Sequence, residues 1–526
     1  MTSLGRYCHH FLFRFWAHTR LGRAMSAMVS SALQMMQPTY PNKRQRIRRV
    51  AERKSEKSMD DFASEVQSLL GAQQSTERSL DMSRRLQEEY MEKLRSSDNS
   101  MLPSYQHTLP TGDERGDFLA LDVGGSTFRI ALIRLGAKDN GGDGMQVRRI
   151  RSFVIDKAVR DLQGQAFFDW MAERIGVMLT EYNHINGTND ARLQIGLAWS
   201  FPVEQTSPRT GRLLAMGKGF KATQGVEGED LSELVMRSCR ARALNVEMRA
   251  IVNDGAATLL SQSYRDPSTR MSLILGTGMN AAVFLPVTAL GSGKFGERPD
   301  SWHAAAEHVL VNTEMSMFGK HVWPITRWDE ELNDKHMLPD FQPLEYLVTG
   351  RYLGEIVRLI LVEAVTTAGL FNGETPSRLE EAYALDTRLL AAFQGDSSAN
   401  LAKAKSGFLQ AHALPSPPRL SELQFIRDVS QLVAQRAAVY LATALHALWT
   451  VRTTAEGLEP GEASHVTIAC DGTVVEKYPD FRESCQRHLD ELCVLSGASK
   501  GAVTLEMAPE SSIFGAAVAV CCLGDT

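Results

Sequence analysis

Two short glycine turns, one carboxylate and one guanidinium have the types and spacing that phosphate chemistry needs. Gly124-Gly125 and Gly276-Thr277-Gly278 are turns in which consecutive backbone N–H groups can converge on an anion. No Cβ blocks that approach, and positive φ is open to glycine. Taken singly, each turn is equally ordinary hairpin chemistry. With Asp122 closing the apolar run before the first turn and Arg129 opening the run after it, the two read as paired phosphate grips. The Asn253-Asp254 pair, taken alone, is an Asx-type turn or a helix cap. Gly211-Arg-Leu-Leu-Ala-Met-Gly-Lys-Gly219 fails as a P-loop, because five residues separate its glycines and Gly follows the Lys in place of Ser or Thr.

The elements that must hold these residues follow from periodicity. Phe118 to Val123 and Phe128 to Leu135 are apolar runs flanking the first glycine turn, which predicts a hairpin. Met271 to Leu285 repeats the strand, turn, strand pattern, so the chain carries an internal echo, one unit per half. A third strand and turn is predicted at His465 to Val475. Helical spacing runs from Ser58 to Leu94, Leu344 to Val365 and Leu420 to Val451, and Leu102 to Pro110 reads as a loop. The expected fold is α/β with two lobes, each a sheet flanked by helices. At 526 residues the chain exceeds what one hydrophobic core usually serves.

Composition narrows the function classes. A hydrophobic share of 43%, a charged share of 23% and a net charge of −5 provide no field to hold nucleic acid, so a small soluble substrate fits better. The seven cysteines show no CxxC spacing, which argues against a zinc site or a disulfide framework and for a reducing, cytoplasmic setting. No run of eighteen apolar residues occurs, so no transmembrane segment is expected. The first fifty-one residues lack Asp and Glu but contain Arg6, Arg14, Arg20, Arg23 and Lys43-Arg-Gln-Arg-Ile-Arg-Arg49. That composition suits a mitochondrial transit peptide, a nuclear address or a polybasic arm, and equally an extension of no functional weight with Met25 or Met28 as the start.

From about Phe62 onward the chain resembles the eukaryotic hexokinase family, through seven motifs in order. They are Leu121 to Arg129, Ile195 to Pro202 with Gly211 to Phe220, Ala250 to Asp254, Gly276 to Asn280, Val311 to Glu314, Leu344 to Arg358 and Ile468 to Gly472. The resemblance implies a two-lobed, actin-like ATPase (ribonuclease H-like) fold with a cleft between the lobes. It also implies transfer of the γ-phosphate of ATP to the 6-hydroxyl of a hexose, with Mg²⁺. In that reading Asp254 is the catalytic base and Lys218 places charge near the 6-hydroxyl. Ser200, Gly217, Lys218, Asn253, Asp254, Asn280, Glu314 and Glu345 bind the sugar. Asp122, Gly124, Gly125, Ser126, Thr127, Arg129, Gly276, Thr277, Gly278, Asp471, Gly472, Thr473 and Ser511 bind ATP, with Asp122 holding Mg²⁺ through water. The implied division is a basic extension at 1–57 and N-terminal helices at 58–116. A small lobe follows at 117–254, a large lobe at 255–508, and a C-terminal helix returns to the small lobe at 509–526.

Five departures from the usual pattern bear on function. Thr127 replaces Asn. Met216-Gly217 replaces Trp-Thr, and Met315-Ser316-Met317 replaces Trp-Gly and a small residue. Gly255 replaces Thr, and Ser511 and Ile513 stand at glycines of a helix start. The methionines suggest a pocket enlarged near C2 of the sugar, which would suit N-acetylglucosamine. An ordinary glucose kinase and a non-catalytic sugar sensor are the alternatives.

Overall fold

Apolar runs ended by glycine and polar turns become strands, and the strands assemble two main sheets. The computed structural model describes residues 57–71, 75–136, 144–186, 192–214, 216 and 219–522. The basic extension up to residue 56, Gly217 and Lys218 lie outside the described residues.

β1 (Leu102–Pro103) corrects one expectation, because this stretch is not simply loop. It pairs antiparallel with Val311 and Asn312 at a sheet edge, where proline is tolerated since its missing N–H faces away from the ladder. β2 (Gly116–Val123), β3 (Thr127–Leu135), β4 (Met145–Val154) and β5 (Leu193–Trp199) come next. The ribbon of β6 (Val203–Ser207) and β7 (Thr210–Leu213) precedes β8 (Val246–Val252). The first sheet has the order β4-β3-β2-β5-β8, with β2 and β3 an antiparallel hairpin and β5 parallel to both β2 and β8. β9 (Thr269–Leu275), β10 (Met279–Pro286), β11 (His308–Asn312), β12 (Val466–Asp471) and β13 (Val503–Met507) join β1 in a second sheet ordered β1-β11-β10-β9-β12-β13.

β2 is buried on both faces, as a central strand must be when helices cover each side. Leu119, Leu121 and Val123 pack into one core with Phe167, Phe168 and Met171 of the helix Gln165–Asn186. Phe118 and Ala120 point the other way, into a core with Ala516, Ala517 and Ala519 of the helix Ser511–Cys521. This last helix crosses between the first sheet and the helix Asp254–Arg265 at very close range. A Cβ on Gly515 would stand 1.9 Å from the Ala257 carbonyl oxygen, and one on Gly196 of β5 would stand 1.9 Å from that of Ala516. Only glycine permits both approaches.

The second sheet packs on a larger core built around the helix Leu420–Ala455, which is buried all round through its second half. Phe62 of the helix Met59–Gly71 meets Phe425 with ring centroids 6.2 Å apart. Ser83 of the helix Thr76–Ser96 hydrogen-bonds His446 Nδ1 at 2.8 Å. The helical run from Leu344 is broken into Glu345–Val348 and Gly350–Ala368. Thr349 is extended there, and the Gly350 N–H donates at 2.8 Å to the Gly276 carbonyl, so the break docks a helix start on the second glycine turn.

Candidate active site

The β2–β3 turn is closed by the Gly124 N–H donating to the Thr127 carbonyl at 3.0 Å and is braced from outside. Arg160 donates to the Gly125 carbonyl at 3.0 Å, and the Ile155 N–H to the Ser126 carbonyl at 2.8 Å. Gly124, Gly276 and Gly278 do not adopt the left-handed backbone, so the conformational half of the glycine argument does not hold for them. Their value lies in the missing side chain. Gly472 is the reverse case, with φ of 118° and a hypothetical Cβ 2.3 Å from the Leu275 carbonyl oxygen.

Asp122, near the end of β2, is buried. Arg129 donates to its Oδ2 through Nε at 2.8 Å, and the Arg129 NH2 group lies 2.6 Å from the same oxygen. The third Arg129 contact is NH1 to Glu510 Oε2 at 2.8 Å. Burial pushes the Asp122 carboxyl above the usual carboxylate range; the Arg129 charge opposes this, and the negative charges of Asp254 and Asp471 add to it. Asp254 and Asp471 thus both act on Asp122, and Asp122, Asp471 and Glu510 act on the Arg129 guanidinium.

Asn253 caps the helix that Asp254 begins. Its Oδ1 accepts from the Ala256 N–H at 2.7 Å, so the cap reading of this pair is realised. Asp254 is half-buried, and its Oδ1 accepts from the Gly255 N–H at 2.8 Å. Capping and chemistry are compatible, because the cap fixes where the Asp254 carboxylate stands.

A ladder of amides and carboxylates occupies the second sheet beside it. Asn280 on β10 donates to Asn312 Oδ1 at 2.8 Å, and Asn312 on β11 donates to Glu314 Oε1 at 2.8 Å. Burial raises the Glu314 pKa, the Asn312 hydrogen bond opposes the rise and the Asp254 charge increases it. Glu345 opens its short helix and accepts from the Met279 N–H at 3.1 Å. Ser200 follows β5, its N–H donating to the Val123 carbonyl at 3.2 Å, so it lies beside the first glycine turn.

On the other flank, a Cβ on Gly276 would stand 3.5 Å from the Thr473 nitrogen, so the second glycine turn abuts the helix Thr473–Lys477. Thr277 is exposed at that turn. Ser511 is fully buried, donates a short hydrogen bond to Asp471 and pairs with Thr258 Oγ1 at 2.8 Å. Of the candidate catalytic, sugar-binding and ATP-binding residues, only Gly217 and Lys218 have no described position.

Met216 packs with Trp199, Phe201 and Phe220 in the core of the first sheet, and Met315 is fully buried in the core of the second. Both thioethers fill interior at these positions. Three residues of the arrangement were not singled out beforehand. Asn312 stands two residues before Glu314, and that spacing was the available signal. Glu510 and Thr258 had none, since their partners lie 381 and 253 residues away.

Two family models, both described as hexokinase, match residues 65–264 and 270–522. Hexokinase-1 of Spinacia oleracea is 30% identical over 422 residues, covering 80% of this chain and 81% of its own. Hexokinase-1 of Saccharomyces cerevisiae is 30% identical over 424 residues, covering 80% and 83%. The hexokinase of Schistosoma mansoni complexed with glucose superposes with a TM-score of 0.71 at 28% identity, over 88% of this chain and all of that one.

Proposed function

Because the chain belongs to the hexokinase family, we propose that it is a glucose-type hexokinase in which Asp254 receives the proton of the sugar 6-hydroxyl. It is an ATP-dependent, Mg²⁺-using hexose phosphotransferase. The observation that carries the site assignment is electrostatic. The Asp254 charge acts both on Asp122, beside the first glycine turn, and on Glu314, in the amide ladder. Asp254 thus stands between the residues suited to phosphate and those suited to sugar hydroxyls.

In this reading Glu314, Glu345, Asn280, Asn253 and Ser200 orient the hexose through its hydroxyls, which restricts its approach to the phosphate. Asp254 then accepts the 6-hydroxyl proton as that oxygen attacks. Arg129 offers guanidinium donors to phosphate oxygens, and the turns at Gly124 and Gly276 offer backbone N–H groups. Thr473 and Asp471 flank the nucleotide, and Lys218 takes the role its motif implies.

Mg²⁺ fits the residues present. Both Arg129 donors land on Asp122 Oδ2, which leaves Oδ1 for a hydrated cation. Among the described residues no cluster of three ligating side chains exists to strip that hydration. When bound, the cation neutralises charge on the phosphates.

The glucose bound by the Schistosoma mansoni hexokinase, 28% identical over 88% of this chain, supports an unsubstituted hexose over one with a 2-acetamido group. A coupled ADP-release assay on glucose, mannose, glucosamine and N-acetylglucosamine tests this. Glucose should rank above N-acetylglucosamine, and D254A should lose at least about a hundredfold in kcat while still binding the sugar. Sugar binding without turnover in the native chain would leave a sensor instead of an enzyme.

A further inference from the structure

Glu510 sits just before the crossing helix with φ 53° and ψ 30°, in the left-handed region that favours glycine. A non-glycine residue persists there only where its surroundings over-determine it. Two contacts do so. Glu510 accepts from Arg129 NH1 at 2.8 Å, and the next residue, Ser511, is tied on two sides. An ionised carboxylate only accepts, so Ser511 gives its one hydroxyl proton to Asp471, and Thr258 must donate to Ser511. This chain of hydrogen bonds fixes the backbone from which Glu510 reaches Arg129.

Arg129 is thereby held at both ends, by Asp122 on its Nε and NH2 side and by Glu510 on NH1. The two partners differ in how readily they can leave. The Asp122 side chain is 10% exposed, whereas that of Glu510 is 47% exposed and has solvent to swing into. A phosphate seeks paired guanidinium donors.

We propose that the Glu510 carboxylate is a built-in competitor for the Arg129 donors that a nucleotide's phosphates use, and so sets nucleotide affinity. This rests on the phosphotransfer reading above. With Asp122, Asp471 and Glu510 around Arg129, the ensemble is net negative before any nucleotide arrives. Metal-free nucleotide is therefore penalised more than its Mg²⁺ complex.

The test is calorimetric binding of MgADP and of metal-free ADP to the full chain, comparing the native protein with E510Q, which keeps side-chain length and removes the charge. E510N serves as a second variant, since Asn tolerates the left-handed backbone. Both should tighten MgADP binding by about threefold to fivefold, the range of a partly exposed ion pair. Metal-free ADP should gain more. KM for ATP should fall while KM for the hexose stays unchanged, and the gain should vanish in R129Q/E510Q. Unchanged or weaker nucleotide binding, or a gain that survives the loss of Arg129, overturns the proposal. If the native chain phosphorylates hexose while E510Q binds MgADP like the native protein, only this inference falls. If neither protein binds nucleotide or phosphorylates any hexose, the phosphotransfer reading falls with it.

Discussion

Glu314 combines two liabilities, a left-handed backbone with φ 52° and a carboxylate pushed above its ordinary pKa chiefly by burial. Neither stabilises the fold: such a backbone costs on the order of 1–3 kcal/mol, and a raised acid pKa means that stability is lost as pH rises through it. Both make sense if the carboxylate is held ready for sugar hydroxyls, since an ionised acceptor hydrogen-bonds them more strongly. The sign for binding is the opposite of that for stability, because protonation removes the charged acceptor as pH falls through the raised pKa. The acid limb of kcat/KM for the hexose should therefore lie above the usual glutamate range. E314Q should remove that limb and weaken the hexose by about tenfold or more. A pH–rate profile of E314Q retaining the native acid limb would show that another group governs it. Glu314 and Asn280 were legible from their motifs, but the raised pKa was not, because it depends first on burial in the folded chain and then on the charge of Asp254, sixty residues earlier.

The crossing helix Ser511–Cys521 is the element on which the site depends most. It touches β2 and β5 on one side and the helix that begins with Asp254 on the other. Its sequence, Ser-Ser-Ile-Phe-Gly-Ala-Ala-Val-Ala-Val-Cys, is apolar all round and small in the middle, which is what burial on every face at short range requires. Gly515→Ala puts a methyl group 1.9 Å from the Ala257 carbonyl oxygen, a backbone atom that cannot rotate away. The two helices must separate, at a cost of about 3 kcal/mol or more in stability. Asp254 lies one turn before Ala257, so kcat should fall as well, by on the order of a hundredfold for a displacement near 1 Å. Denaturant midpoints and kcat measured on the same preparation check both. A variant with native stability would mean that the two helices part without cost. The hairpins at Phe118–Leu135 and Met271–Leu285 were legible because alternation and glycine are local signals. The break at Thr349 was not, since the apolar pattern runs straight through it and the cause is a hydrogen bond to Gly276.

Each main sheet contributes to the proposed hexose set, with Ser200 and Asn253 following strands of the first and Asn280 and Glu314 beside strands of the second. Glu345 is tied to the second through the Met279 N–H. The charges of Asp254 and Asp471 act on Asp122, and that of Asp254 also acts on Glu314, across this junction. Like charges at close range oppose approach of the two lobes until a ligand supplies hydrogen bonds or a cation supplies neutralisation. A hexose that contacts both sides should therefore draw them together and raise the stability of the whole molecule in one cooperative step. At a hundred times its Kd, glucose should add about 2.7 kcal/mol to unfolding. The radius of gyration from small-angle X-ray scattering should shrink on its addition. D254A should keep both responses, because the base is needed for proton transfer more than for holding the sugar. A substitution on either side, S200A or E314Q, should weaken both responses in parallel. If glucose raised stability without compaction, the sugar would be held by one lobe alone. The carboxylates would then govern the nucleotide and not the closure.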